Sequence, residues 1–387
     1  MYDEPEHVEL LRQTLQRFLD EKVPRELARK CDREMRFPMN LFQELAALGI
    51  CGLTIPEEYG GSGVDIVSSI AVIDELCRRG WLLAGPYIHC SYYGGVNITE
   101  NGDEEQKRKL LPRLAAGEIF FAYGLSEPDV GGDLASVQTR ATRSDDGHSL
   151  RIHGTKRWVT GARFADYIYT LVRSGEEDAR YQNLSIVLVP TDSPGITIHD
   201  IDHMGLRYTE TTDVIFDDVE VPIENIVGGP GCWNKGWPQV VGRGLDVERL
   251  EITAVAYGIA AAAVEEAWEY AQERVQFGKV ISGHQAIRHA LVDARTKLTA
   301  CRHMLYHAAW LAGEGRDCSV ESSMAKLFVG ETGVEIVLAC QKVLGAYGCA
   351  EGHDMERHVR DLVQMPIVGG SSNMQRNNIA NRLKLAG

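Results

Sequence analysis

Two changes of hydrophobic period divide this chain. Over residues about 5–120, apolar side chains recur at helical spacing, as in Val8, Leu11, Leu15, Phe18 and Leu19. Asn40 is placed to cap a short helix that stops at Gly49, residues 64–79 form a third amphipathic run, and Asp103 opens a fourth. From about 120 to 232 the pattern shortens to β-branched and aromatic runs: IFFAYGL, SLRIHG, YIYTLV, LSIVLVP, GITIHD and DVIFDDVEV. Gly, Asp, Asn and Pro punctuate them. From about 233 onward long Ala-rich helical patterns return with short links, the signature of a bundle. The strand block lacks alternating helices, which excludes a dinucleotide-binding sheet. The order predicts an α+β chain of three domains. These are an N-terminal helical domain over 1–120, a middle antiparallel β barrel or sandwich over 121–232, and a C-terminal four-helix bundle over 233–387.

Charge and composition narrow the function. The formal net charge of −15 leaves no basic surplus to release counterions from a nucleic acid, so no nucleic-acid partner is expected. No apolar run reaches the roughly 18 residues of a membrane span, and the N-terminus MYDEPEHVELL has no signal-peptide pattern. The nine cysteines form no C-x-x-C pair, which fits a reducing cytoplasm rather than a disulfide framework or a zinc ribbon. His303 and His307 are four apart on a helix but have no evident third ligand, so no metal is expected.

Three stretches carry polar groups that a ligand could use. FAYGLSEPDVGGD (121–133) runs from a strand into Ser, an acid, Pro and a Gly-rich turn, whose exposed N–H groups suit a diphosphate or a polar ring edge. GTKRWVTGA (154–162) sets Trp158 and Thr160 on one face of a strand, suited to a flat aromatic cofactor. ERVQFGKVISGHQAIRHALVDA (273–294) crowds Arg274, Gln276, His284 and Gln285 around a turn, and an Arg there can grip phosphate as a fork.

Together these stretches resemble the flavin-dependent acyl-CoA dehydrogenase family over essentially the whole chain. The resemblance rests on YGLSEPDVGGD, KRWVT, the R-x-x-F-G-K…H-Q-A-I turn, and the tail VLGAYGCAEGHDMERHVRDLVQMPIVGGSS, in that order. It implies FAD as cofactor, with Tyr123, Leu125, Ser126, Gly131, Gly132, Trp158 and Thr160 around the flavin. Arg274, Gln276, Phe277, His284 and Gln285 would reach the FAD of a neighbouring subunit. Lys342, Gly345, Ala346, Ser371 and Asn373 supply further contacts. A homo-oligomer, dimer or tetramer, follows from that sharing, and an electron-transfer flavoprotein is the implied acceptor. Gly132 and Lys342 depart from the family, which often has Ser and usually Gln there.

The catalytic residue is displaced. Most members carry a Glu where this chain has Gly369, and general-base help is typically worth about 100- to 10,000-fold. Some branches place the acid before an Arg in the first long C-terminal helix. LDVERLEI (245–252) matches that pattern, as in isovaleryl- and long-chain-type dehydrogenases; crotonobetainyl-CoA reductases also share the Gly-Gly-Ser turn. The resemblance therefore makes Glu248 the base, with Glu251 a neighbouring candidate. The backbone N–H of Gly369 becomes the oxyanion donor, and Gly132, Asp246, Arg249 and Gly370 serve the substrate. Gly369 is also expected to free volume for a branched or bulky acyl group. The competing readings are a flavin monooxygenase on the same fold, which needs no carboxylate base, and a non-catalytic subunit. The stretch GPYIHCSYYGG (85–95) suits either a polar pocket or a packed helix face.

Overall fold

The computed structural model describes residues 4–176 and 178–385. The first helical part contains α1 (Glu6–Lys22), α2 (Arg25–Glu34), α3 (Met39–Ala46), α4 (Ile66–Cys77), α5 (Ala84–Ile88), α6 (Asn97–Asn101) and α7 (Glu104–Ala115). Asp103 caps α7 in a reciprocal capping box with Gln106, as its place in the sequence predicts. Asn40 does not cap α3: the chain enters that helix from Pro38, so Asn40 already lies in the first turn. Between α5 and α6 the segment His89–Val96 winds as a π-helix, a form often found beside functional sites.

The middle part holds β1 (Phe121–Gly124), β2 (Arg140–Arg143), β3 (Ser149–Thr160), β4 (Tyr167–Arg173), β5 (Leu184–Pro190), β6 (Ile196–Asp200) and β7 (Thr211–Pro222). They form one connected sheet ordered β1-β4-β2-β3-β7-β6, with β5 on β4. The sheet is mixed rather than wholly antiparallel. β4 runs parallel to β1 and touches β2 in parallel, because the antiparallel β2–β3 pair intervenes between β1 and β4 in the chain.

The last part contains α8 (Gly236–Val241), α9 (Arg243–Glu273), a small hairpin of β8 (Val275–Gln276) and β9 (Lys279–Val280), α10 (Gln285–Gly313), α11 (Ser319–Leu344), α12 (Met355–Leu362) and α13 (Ser372–Arg382). α9, α10 and α11 pack on one another, α13 lies on α11, and α4 from the first part packs on α9. Small residues make this close approach possible: Ala254, Ala256, Ala260, Ala261 and Ala263 are all buried along α9.

Buried charges lock the parts together. Arg12 of α1 donates to Asp74 and Glu75 of α4 at 2.7 and 2.6 Å, and Tyr306 of α10 donates to Asp74 at 3.0 Å. Arg360 of α12 donates to Asp32 of α2 at 2.6 Å, while the Asp361 carboxylate accepts the Leu206 N–H at 2.6 Å. Within the sheet, Lys156 is fully buried and donates to Glu127 at 2.8 Å and to the Leu125 carbonyl at 3.1 Å. Glu127 also accepts the N–H groups of Gln138 and Thr139 at 2.6 and 2.8 Å. Burial pulls the Lys156 ammonium down to about 8, opposed by Glu127, while Lys156 and these hydrogen bonds outweigh burial and hold the Glu127 carboxyl below its usual range. Removing one partner strands the other charge without water. Lys156→Met is therefore expected to destabilise the fold by about 3–5 kcal/mol, read by denaturant unfolding; a loss under about 1 kcal/mol would contradict this account.

Candidate active site

The ion pair just described fixes the loop after β1. Glu127 follows Ser126 in the loop after β1, and Lys156 lies two residues before Trp158 in β3, so the pair joins two of the motifs read from the sequence. The Arg157 N–H adds a bond to the Ser126 carbonyl at 2.9 Å. A register shift in the β3–β7 ladder falls between Lys156 and Val159. There Trp158 has φ +62° and turns its indole outward, 56% exposed. A Trp held in left-handed backbone and displayed to the outside is costly for packing alone, and such strain gathers at ligand sites. Leu125, Ser126 and Thr160 lie half-buried beside it, and the Thr160 hydroxyl is 3.1 Å from that of Thr211. An aromatic face, a neighbouring hydroxyl and the open turn at Gly131 fit a flat cofactor with a diphosphate tail. At Gly132 a Cβ would stand 3.2 Å from the Met374 sulfur of α13, so Met374 occupies the space near a Ser hydroxyl at that place.

A second set of expected cofactor residues gathers elsewhere. Arg274 lies over the Tyr347 ring at 5.6 Å, and the Gln276 carbonyl is 3.2 Å from His284 Nε2. Phe277, at the tip of the β8–β9 hairpin with φ +53°, is 93% exposed. Gln285, Lys342, Gly345 and Ala346 are exposed as well. Among the described residues no hydrogen bond or ring contact joins this set to the Trp158 set. At the start of α13, Ser371 accepts the Met374 N–H at 3.4 Å, and Asn373 is exposed next to it.

The acid chemistry lies on α9. Glu248, Glu251 and Ile252 are three and four residues apart, hence on one helix face. Burial pushes the Glu248 carboxyl up to about 7, with the Arg249 charge opposing. Glu251 is fully buried, and burial together with the Glu248 charge pushes its carboxyl well above the usual range. Arg249 pairs with Asp246 one turn back, and both are largely buried. Asp246 borders an open groove of about 240 Å³ that Arg316 and Arg382 also line; sequence reasoning missed both arginines, which carry no local motif.

Two aromatic rings stand near the α9 acids. The ring of Tyr93, from the π-helical segment, stacks on Tyr123 at 4.0 Å and 18°, and Asn97 donates to the Tyr123 hydroxyl. Burial raises both phenols well above their ordinary value, and the charges of Glu248 and Glu251 add to it, which places the two tyrosines beside the glutamates. Tyr123 thus keeps company with the acids, and in the tyrosine-rich stretch Tyr87 and Tyr92 are buried while Tyr93 is half-buried. The turn before α13 also meets α9, at Ile252. Gly369 and Gly370 have φ +62° and +81°, consecutive left-handed residues that favour glycine. A Cβ at Gly369 would meet Ile252 at 3.0–3.4 Å, so Ile252 fills the volume that the missing side chain was expected to free. Lys326, also buried, fixes this turn by donating to the Met365 carbonyl at 2.8 Å.

His303 and His307 are exposed on α10. Among the described residues the one group close enough to hold a metal ion is His153, Asp217 and Asp218, all exposed on the β3–β7 pair. No described helix is long and apolar enough to cross a membrane.

Comparison with known proteins places this architecture. Family models described as acyl-CoA dehydrogenase N-terminal, middle and C-terminal domains match residues 5–118, 122–219 and 234–384. A probable acyl-CoA dehydrogenase of Bacillus subtilis is 35% identical over 357 residues, covering 92% of each chain. A 3-(aryl)acrylate reductase of Clostridium sporogenes is 32% identical over 380 residues, covering 98% of each. The butyryl-CoA dehydrogenase structure from Megasphaera elsdenii superposes with a TM-score of 0.93 at 29% identity, covering 99% of this chain and 100% of that one. The fold and site thus define a flavoprotein oxidoreductase. The chain belongs to the acyl-CoA dehydrogenase family, whose reaction is the α,β-dehydrogenation of acyl thioesters or its reverse.

The α9 acids carry a direct test. In ¹³C-carboxyl NMR of glutamate-labelled protein, the resonance absent from Glu248→Gln should titrate with a midpoint near 7, neutral below and ionised above. A midpoint near the ordinary glutamate value of about 4.3 would contradict the desolvated setting.

Proposed function

We propose that this chain is an FAD-dependent acyl-CoA dehydrogenase, or the corresponding enoyl reductase, whose base is Glu248. The observation that carries this reading is a carboxyl raised to about 7 on the helix face whose next turn, at Ile252, meets the Gly369 turn. A base with that value is largely ionised just above neutrality and still basic enough to take an activated α-proton.

FAD is the cofactor that fits the Trp158 cluster, and when bound it accepts the β-hydrogen as hydride. Leu125, Ser126, Gly131, Gly132, Trp158 and Thr160 would hold its ring and diphosphate. Arg274, Gln276, Phe277, His284, Gln285, Lys342, Gly345 and Ala346 would serve the cofactor of a second copy. Their separation from the Trp158 set and the exposure of Phe277 support a homo-oligomer, dimer or tetramer. Arg249, held by Asp246, and the groove with Arg316 and Arg382 offer cations and donors to an anionic CoA tail.

The residues divide the chemistry as follows. The Gly369 N–H donates to the thioester carbonyl and so acidifies the α-carbon; a backbone donor does not need a side chain at that place. Glu248 removes the α-proton in the oxidative direction and returns it in the reductive one. The Tyr93–Tyr123 stack and Ile252 exclude water and keep the carboxyl poised. An electron-transfer flavoprotein is the acceptor that the family resemblance suggests. All nine cysteines are unpaired by disulfide, which supports a cytoplasmic location.

Anaerobic mixing with acyl-CoA thioesters tests the assignment. Wild-type protein should lose its flavin absorbance, at a rate that climbs with pH through about 7 as Glu248 ionises. Glu248→Gln should stay yellow, slowed by about 100-fold or more. Bleaching of Glu248→Gln at the wild-type rate would remove Glu248 from the mechanism.

A further inference from the structure

Glu251 is unaccounted for by that mechanism. It is fully buried, and among the described residues neither of its carboxyl oxygens has a hydrogen-bond partner. Two of the phenols around it are engaged elsewhere. The Tyr92 hydroxyl lies 2.7 Å from that of Ser69, and the Tyr123 hydroxyl accepts from Asn97. A buried polar group without a partner is destabilising and rare, and an apolar residue would pack this helix at lower cost. The carboxyl is therefore explained by something that binds beside it.

Its place says what that is. Glu251 sits one helical turn beyond Glu248, about 5–6 Å along the same face, and between them and the turn at Gly369 lies Ile252. Glu248 and Tyr93, its electrostatic neighbours, are both half-buried, so Glu251 lies behind groups that are not themselves sealed from the outside. An acyl chain whose α-carbon lies at Glu248 reaches Glu251 with its γ- or δ-carbon. We propose that Glu251 is the specificity-determining residue of the acyl pocket, hydrogen-bonding an uncharged polar group, such as a hydroxyl or carboxamide, on the γ- or δ-carbon of the substrate. This rests on the assignment of Glu248 as base.

The electrostatics select an uncharged group rather than a cation. Burial and the neighbouring Glu248 charge both favour the neutral acid at Glu251. Glu251 then presents one O–H donor and one carbonyl acceptor, the pair that a hydroxyl or a primary amide satisfies. A site built to hydrogen-bond a substrate group discriminates against the analogue that lacks it, because its own polar atoms are left unpaired.

The test compares flavin reduction by hexanoyl-CoA, the near-isosteric 5-hydroxypentanoyl-CoA and 5-aminopentanoyl-CoA. Wild-type protein should favour the hydroxy thioester over hexanoyl by about 10-fold in kcat/KM. Glu251→Leu should abolish or invert that ratio, and Glu251→Gln, which keeps a donor and an acceptor, should preserve it. A ratio unchanged in Glu251→Leu, or a wild-type preference for hexanoyl, would overturn the proposal. So would a preference for the amino thioester that disappears in Glu251→Gln, since Glu251 would then act as an anion. If hexanoyl-CoA bleaches the wild-type flavin but the ratios do not move, only the role of Glu251 falls. If no thioester bleaches it, the dehydrogenase reading fails first.

Discussion

Desolvation of two carboxyl groups on one helix is the constraint around which the site is arranged. Water would hold Glu248 as a simple surface acid; removal of water lifts it to about 7. That removal needs three parts of the chain at once. α9 supplies the carboxyls, the π-helical segment with β1 supplies the Tyr93–Tyr123 stack, and the turn before α13 closes the other side. The ionic ties of Arg12 to Asp74 and Glu75 fix α1 on α4, and that of Arg360 to Asp32 fixes α12 on α2; α4 and α12 in turn pack on α9. Buried ion pairs are poor sources of net stability, but they are exacting about geometry, which is what a site made at a junction requires.

The glycine pair at 369–370 belongs to the same logic. Its left-handed backbone turns the chain under α13, Lys326 fixes the approach through Met365, and Ile252 packs where a side chain would begin. A glutamate placed at 369 would meet both a disfavoured φ and the Ile252 side chain, whose Cγ1 methylene would lie 3.0 Å from the new Cβ. In the proposed mechanism base position and turn conformation are coupled: α9 carries the acid, and the turn keeps only its backbone donor.

Much of this was legible beforehand, for identifiable reasons. The switch from period 3.6 to period 2 and back marked the three parts, and Asp103 announced α7, because these signals are local. The motif stretches around Ser126, Trp158 and Arg274 are visible as polar residues in unusual company, whereas Glu248 stands out only through the family resemblance. What escaped was non-local. Lys156 and Glu127 lie 29 residues apart and look like surface charges until the fold buries them together. Tyr93 reads as one aromatic among several until the π-helix sets it on Tyr123. The missing side chain at Gly369 suggests room, because nothing local in the sequence brings Ile252 of α9 against that turn. Asn40 misled because its capping chemistry is real, yet Pro38 starts the helix earlier. The parallel ladders of β4 depend on chain order, which no single strand encodes.

The central claim is that proton abstraction moved to α9. Its most direct test is exchange of the α-hydrogens of a 3-thia-acyl-CoA, which has no β-carbon and so cannot lose a β-hydride, followed by proton NMR in heavy water. Wild-type protein and Glu251→Gln should exchange the α-hydrogens, and Glu248→Gln should not. Exchange that persists in Glu248→Gln and vanishes in Glu251→Gln would move the base one turn along the helix and contradict the account.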